Sequence, residues 1–285
     1  MGPDPGGTQP TPPPLPPPPR APSTPSVAAE PAWRGDLPTA VLRASFARLF
    51  LLQALWNYER MQGIGLAYAL VPVVRRLEPD DAAAARSLAP QTAYFNTHPV
   101  MASVAVGVVA QQFERRARGA GALDDAGLAR VRQAIGASLA AAGDPLFWFS
   151  VRPLVAVAGV YAWREDRTWL GAVTLFAGYN LIAVGFRYRG LLEGYRRGLA
   201  YVAQLPARLG RLTEVVRALG VVLCALLCAT ILVPSGGGSP RHVLGGLAGI
   251  VSGALLFGGA RLGPGEWGLV LVLGALAWAT VGPGF

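Results

Sequence analysis

The apolar residues of this chain gather into long runs nearly free of charge, and the spacing of those runs predicts helices made for a bilayer. Over residues 41–53 the apolar positions Val41, Leu42, Phe46, Leu49, Phe50 and Leu52 recur at helical spacing while Arg43 and Arg48 mark the other side, which suits a helix lying in the membrane interface. Three stretches that follow are apolar but short: residues 99–110, residues 134–151 interrupted by Gly143-Asp144-Pro145, and residues 153–163. A spanning helix needs about 20 residues. Short segments broken by glycine and proline are therefore expected to be re-entrant or discontinuous hairpins, where transporters place binding sites. Asp144 is expected to cap a helix begun by Pro145 or to pair with Arg152.

Residues 168–186 form an uncharged run of 19, followed by Arg187, Arg189, Arg196, Arg197, Arg208, Arg211 and Arg217. Such an arginine excess holds a loop on the cytoplasmic side. Leu191, Tyr195, Leu199 and Val202 share one helical face there, predicting a surface helix that ends at Pro206. Three more apolar runs, 218–233, 243–260 and 267–281, then lead the chain out, in and out again, leaving the C-terminus external. The expected class is an all-α membrane protein of interfacial amphipathic helices, broken hairpins and several transmembrane helices. Its organisation is a proline-rich cytoplasmic tail (1–35), a core (36–217) and C-terminal hydrophobic helices (218–285).

Composition sharpens this picture. Of 285 residues 52% are hydrophobic and 14% charged, too little charge for the surface of a soluble domain. All 25 basic residues are arginine, and the net charge is +9. A nucleic-acid binder would show basic residues interleaved with aromatics on a soluble fold, which is not the pattern here. Residues 1–31 hold 13 prolines and no apolar core of a signal peptide, so they are expected to form an extended tail that stays in the cytoplasm. Cys224 and Cys228 sit four apart in an uncharged run, where small apolar packing residues are expected rather than thiolates or metal ligands.

Three segments carry polar chemistry. Residues 53–63, Gln-Ala-Leu-Trp-Asn-Tyr-Glu-Arg-Met-Gln-Gly, mix hydrogen-bonding groups with aromatics. On a helix Trp56, Arg60 and Gly63 would share a face with Asn57 beside them. Amides, carboxylates and ring faces are what vicinal hydroxyls and pyranose C–H surfaces use, so Trp56, Asn57, Glu59, Arg60 and Gln62 are candidates for a sugar site. The same residues suit a capped, salt-bridged surface helix equally well. In Tyr94-Phe95-Asn96-Thr97-His98-Pro99, Asn96 or Thr97 can cap the next helix with Pro99 in its first turn. His98 is then left over, either as a donor or as a structural histidine. In residues 143–153, Asp144 and Arg152 place an acid and a base within apolar surroundings. No catalytic triad, metal constellation or phosphate-cradling glycine loop is present in the sequence, and neither His98 nor His242 has the neighbours of a phosphoacceptor.

At these motifs the sequence resembles the IID component of the mannose/fructose/sorbose-type phosphotransferase system. The resemblance is carried by QALWNYERMQGIG at 53–65, FNTHP at 95–99, GDPLFWFSVRP at 143–153 and GFRYRGLLEGYRRG at 185–198, and it extends over about residues 40–220. It implies a sugar permease subunit of the bacterial inner membrane, multi-pass, that forms the hexose path with a IIC subunit in a hetero-oligomer. IIA and IIB would relay phosphate to the sugar, with the IID chain itself neither phosphorylated nor an enzyme, and needing no cofactor. It further implies an elevator-type carrier in which Trp56, Asn57, Glu59, Arg60, Gln62, Asn96, His98 and the stretch from Asp144 to Arg152 lie near the IIC interface or the sugar path. The chain departs from the family at Ala137-Ser138-Leu139-Ala140-Ala141-Ala142, where a glycine- and proline-containing stretch is usual, and at Gln112-Phe113-Glu114, which has one acid fewer. These departures, with the long tail, leave room for a regulatory or scaffold subunit that keeps the fold without transporting.

Overall fold

The computed structural model describes residues 33–163 and 168–232. The proline-rich tail, His242 and the last two apolar runs lie outside the described residues. Within them the chain is helical, without a named strand. Its elements are α1 (Thr39–Arg48), continued by a tight turn at Leu49–Leu51, α2 (Gly63–Leu77), α3 (Asp81–Leu88), α4 (Ala102–Ala117), α5 (Asp125–Leu146), α6 (Arg152–Trp163) and α7 (Thr168–Leu232).

Helix α4 forms the centre. Every residue from Ala102 to Glu114 is buried, and most are small, which is the signature of a helix surrounded on all sides. It packs on α7 at very close range, because Gly107 abuts the backbone at Leu191 and Gly190 and Gly194 abut Val104. Glycines four apart remove the side chains that would hold two helix backbones away from each other. Around this pair, α2 contributes Leu66, Leu70, Val73 and Val74 to the core. α1 adds Leu42, and the turn after it Leu49. Asp80 and Asp124 start α3 and α5 as side-chain caps, accepting from Ala83 N and Gly127 N at 2.7 Å each.

Among the described residues two elements are long and apolar enough to cross a membrane, Asp125–Trp163 and Trp169–Gly220. The first corrects the expected break at Gly143-Asp144-Pro145. α5 runs through Pro145 to Leu146, a π-helical turn occupies Phe147–Val151, and α6 carries on. Proline removes one donor and crowds the preceding turn; α5 accommodates Pro145 internally, and the turn before Pro153, the second residue of α6, is the wider π turn, which takes up that proline without ending the rod. Ser150 Oγ donates to the Pro145 carbonyl at 2.8 Å within this turn. α6 then lies against α7, with Gly159 and Gly171 facing each other and Val155 on Gly178.

The interruption instead falls in α7. Gly198 has φ 56° and ψ −137°, outside helical geometry, whereas Pro206 sits inside the continuing helix. The expected stop at Pro206 is thus corrected to a bend eight residues earlier, at a residue type that tolerates positive φ. Carbonyls freed by the bend find new donors: Gln111 Nε2 donates to Tyr195 O at 3.0 Å and Trp33 N donates to Arg196 O at 2.7 Å. Beside this bend Glu114, buried, accepts from Trp33 Nε1 (2.9 Å), Asp36 N (2.8 Å), Arg118 Nη2 (2.7 Å) and the Tyr195 hydroxyl (2.5 Å). Arg118 also meets Asp36 at 2.7 Å, and Arg115 and Arg118 lie over the Trp33 ring. The segment from Trp33 to Leu37 is thereby strapped across α4 and α7.

Candidate functional site

A cleft of about 200 Å³ opens where four segments distant in sequence meet. Phe50 and Gln53 come from the end of the first helical segment, His98 and Pro99 from the loop before α4, Trp148 from the π turn, and Tyr179, Asn180 and Arg187 from α7. The π turn matters here because it re-aims Phe147 and Trp148 towards His98. The imidazole stacks on Phe147 (4.8 Å, 14°) and meets the edge of Trp148 (5.1 Å). His98 is 1% exposed, and its Nδ1 accepts from Val100 N at 3.3 Å. With Nδ1 an acceptor, the ring proton of the neutral form is on Nε2, and that nitrogen has no partner among the described residues. Burial, and secondarily the charge of Arg187, push the His98 pKa down to about 4, so the ring is a neutral single donor at neutral pH.

Arg187 closes the other wall. Its guanidinium lies 4.9 Å from the centre of the Phe50 ring, Nη2 donates to Pro99 O at 3.5 Å, and Nε is unpartnered among the described residues. Asn180 Nδ2 donates back to Phe176 O at 2.8 Å, which orients its amide within α7. The cleft therefore presents an amide, a phenol, a neutral imidazole donor and a guanidinium between aromatic walls. That combination binds hydroxylated rather than apolar ligands. Its volume is below the roughly 300–1,000 Å³ of enclosed small-molecule sites, so a second surface would be needed to close it. Among the described residues no group of three His, Cys, Asp or Glu is placed to hold a metal ion.

The sequence candidates divide sharply in space. Residues 53–62 are not a helix but a looped turn, in which Met61 takes φ 50° and bridges both Asn57 and Phe95. Asn57 shapes that turn, its Oδ1 accepting from Arg60 N at 2.9 Å. Trp56 is exposed and packs edge-on against Tyr58 at 4.8 Å. Glu59 and Arg60 form a surface pair at 3.7 Å, and Arg60 also reaches Thr92 Oγ1 at 3.5 Å. Gln62 is buried and clamps the FNTHP loop, donating to Thr97 O (2.8 Å) and accepting from Thr97 N (3.2 Å). Neither Asn96 nor Thr97 caps α4, which begins at Ala102 without a side-chain cap. Asn96 is exposed instead. Asp144 is half-buried inside the continuous helix and so cannot cap one, and Arg152 is exposed with its guanidinium over the Trp148 ring at 5.3 Å.

Each of the four motifs nevertheless reaches the cleft: Gln53, then His98 with Pro99, Trp148 and Arg187. The profile of the PTS system mannose/fructose/sorbose family IID component matches residues 36–234. The chain belongs to this family. It is 34% identical over 188 residues to the mannose-specific EIID component of Escherichia coli K12, covering 65% of this chain and 66% of that one. To the sorbose-specific EIID component of Klebsiella pneumoniae it is 32% identical (68% and 69% covered), and to the fructose permease IID component of Bacillus subtilis 168 it is 29% identical (64% and 66% covered). The match thus spans just under two thirds of the mannose-specific and fructose relatives. Among solved structures, a membrane protein superposes with a TM-score of 0.65 at 28% identity, covering 86% of this chain and 98% of the other. The mannose transporter ManYZ in complex with microcin E492 superposes with a TM-score of 0.54 at 28% identity, covering 86% and 97%.

For this IID family member, sequence reasoning missed Tyr179, Asn180 and Arg187 as cleft residues. Tyr179 and Asn180 read as helix packing, and Arg187 as the first of a basic series and part of the 185–198 motif, not as a site residue. A polar Tyr-Asn pair inside an uncharged 19-residue run was the available signal, since buried polar groups in such runs seek partners or ligands.

Proposed function

We propose that this chain is the non-catalytic membrane subunit with which a IIC-type partner forms a hexose path, uptake being coupled to phosphorylation of the sugar by IIA and IIB. The observation that carries the reading is the cleft shared by four motifs, whose His98 Nε2–H and Arg187 Nε have no partner among the described residues. A hydroxylated ligand that displaces the side chains sealing these two atoms supplies acceptors to both, and the IIC subunit supplies the missing wall. Exposed Trp56, Glu59, Asn96 and Arg152, with half-buried Asn57, Arg60 and Asp144, are then contacts for that subunit, while Gln62 acts by holding His98's loop. In this arrangement the protein resides in the bacterial inner membrane, with the arginine-rich half of α7 and the N-terminus cytoplasmic and the C-terminus external.

Uptake of labelled hexose by cells expressing IIA, IIB and IIC, with this chain native, absent or altered, tests the reading. His98→Ala and Arg187→Gln should each lower uptake by at least about tenfold at unchanged membrane abundance, the loss of one to two hydrogen bonds to ligand. Uptake independent of the chain would refute it. A second reading, a scaffold that does not transport, is favoured by the unbroken course of α5 through residues 137–145. It predicts capture of IIC without saturable uptake.

A further inference from the structure

Beyond the bend at Gly198, α7 turns Leu205, Leu209 and Thr213 into the protein and leaves Arg208, Arg211, Leu212, Val215 and Leu219 exposed. Positions three, four, seven and eleven apart share a helical face, so two arginines and three apolar side chains form a single outer stripe, the arginines first. Neighbouring cations are occupied: Arg197 lies 3.5 Å from Glu193 and donates to Gln204 at 2.6 Å, and Arg217 meets Glu214 at 3.1 Å. Arg208 and Arg211 have no ion pair among the described residues.

The course of the helix decides what they meet. Residues 218–232 continue α7 without a charge, about 22 Å of helix, long enough to enter the acyl region. On the outer face the exposed side chains Leu212, Val215 and Leu219 are apolar, while the paired Glu214 and Arg217 lie on the side of the helix towards α5, so on this face the edge of the hydrocarbon lies at Leu212. The headgroup layer is about 5–7 Å deep on each side of a bilayer, and Arg211 with Arg208 one turn behind fall within it. A water-soluble acidic protein would match the arginines but would have to cover Leu212, Val215 and Leu219 on a helix leading into lipid. A lipid matches both, since guanidinium groups pair with phosphate through two parallel hydrogen bonds and acyl chains lie along the apolar stripe. We propose that Arg208 and Arg211 form a binding site for the phosphate of an anionic phospholipid whose acyl chains lie along Leu212 and Val215.

The test uses the full chain in detergent, offered equal amounts of phosphatidylglycerol and phosphatidylcholine with identical acyl chains, with retained lipid counted by native mass spectrometry. Each arginine near an anionic headgroup contributes about fivefold, so the native chain should favour phosphatidylglycerol by roughly 25-fold over the variant Arg208→Gln/Arg211→Gln. The control Arg76→Gln/Arg86→Gln removes the same charge elsewhere and should leave the preference intact. Excess glycerol phosphate, which carries the headgroup without acyl chains, should compete weakly. Equal retention of both lipids overturns the proposal. So does a preference lost equally in both double variants, full competition by glycerol phosphate, or a preference untouched by Arg208→Gln/Arg211→Gln. Circular dichroism of each variant verifies that the helices are retained; the altered arginines are exposed and make no contact the fold depends on.

Discussion

Glu114 offers the most demanding test of how the N-terminal strap is held. Glutamine keeps its shape but converts one acceptor oxygen into an NH2 group. Turned towards Asp36 N and Arg118, that group would orphan a backbone donor and repel a guanidinium, so it faces Trp33 Nε1 and Tyr195 instead. The Tyr195 hydroxyl can rotate to accept, but the indole N–H cannot, and the charge that strengthened all four bonds is gone. One unpaired buried donor costs about 1–3 kcal/mol and weakening the charged bonds a comparable amount, so Glu114→Gln should cost about 3 kcal/mol. Tyr195→Phe removes one bond to Glu114 and the acceptor of Leu37 N at 3.1 Å, and should cost about 1–2 kcal/mol. Because the two share a bond, the double variant should fall short of the sum by about 1 kcal/mol. Reversible unfolding in mixed micelles of a mild detergent and dodecyl sulfate, followed by helical circular dichroism, gives all four free energies. A Glu114→Gln chain within about 0.5 kcal/mol of native, the scatter of an innocuous surface change, would refute the reasoning, as would strict additivity.

Three further expectations use the same unfolding assay. Gly198→Ala forces a side chain to φ 56° and drives its Cβ into the Gln111 carboxamide, so a loss of about 2 kcal/mol or more is expected. Asn57→Ala removes the acceptor of Arg60 N and should cost about 1 kcal/mol, with the turn at 57–61 more open to protease. His98 titrates at about 4 in the folded chain against 6.5 unfolded, so between those values the unfolded chain binds the extra proton. Stability is then full above pH 6.5 and declines by at most about 3 kcal/mol as pH falls towards 4. His98→Gln should abolish that slope, measured as unfolding free energy at neutral and acidic pH.

Helix content and the general course of the chain were legible because they rest on periodicity. Leu42 and Leu49 repeat as an apolar stripe, and that stripe is buried. The position of the bends was not legible. Gly143-Asp144-Pro145 looks like a break, yet α5 runs through Pro145 and the widened turn follows only at Phe147–Val151, ahead of Pro153. Gly198 looks like one of many glycines, yet its bend depends on Gln111 and Trp33, which lie far away in sequence and provide replacement donors. The looped course of residues 53–62 likewise follows from pairing with Phe95, a contact that no local helical wheel contains. As for the cleft, the motifs were recognisable as segments, but which side chain of each points inward depends on the turn chemistry of Asn57, the clamp of Gln62 on Thr97 and the widened turn under Trp148.

The bend at Gly198 has a mechanical corollary. One of the two carbonyls it releases is held by the backbone N–H of Trp33, the first residue of the strap. The strap that begins at Trp33 and helix α7 are therefore fastened at one joint. Straightening or swinging the distal half of α7 must pull Trp33 away from Arg196, and tension applied to the residues ahead of Trp33 acts directly on the angle of that helix. The strap works as a tendon across a knuckle, with Glu114 as its point of insertion.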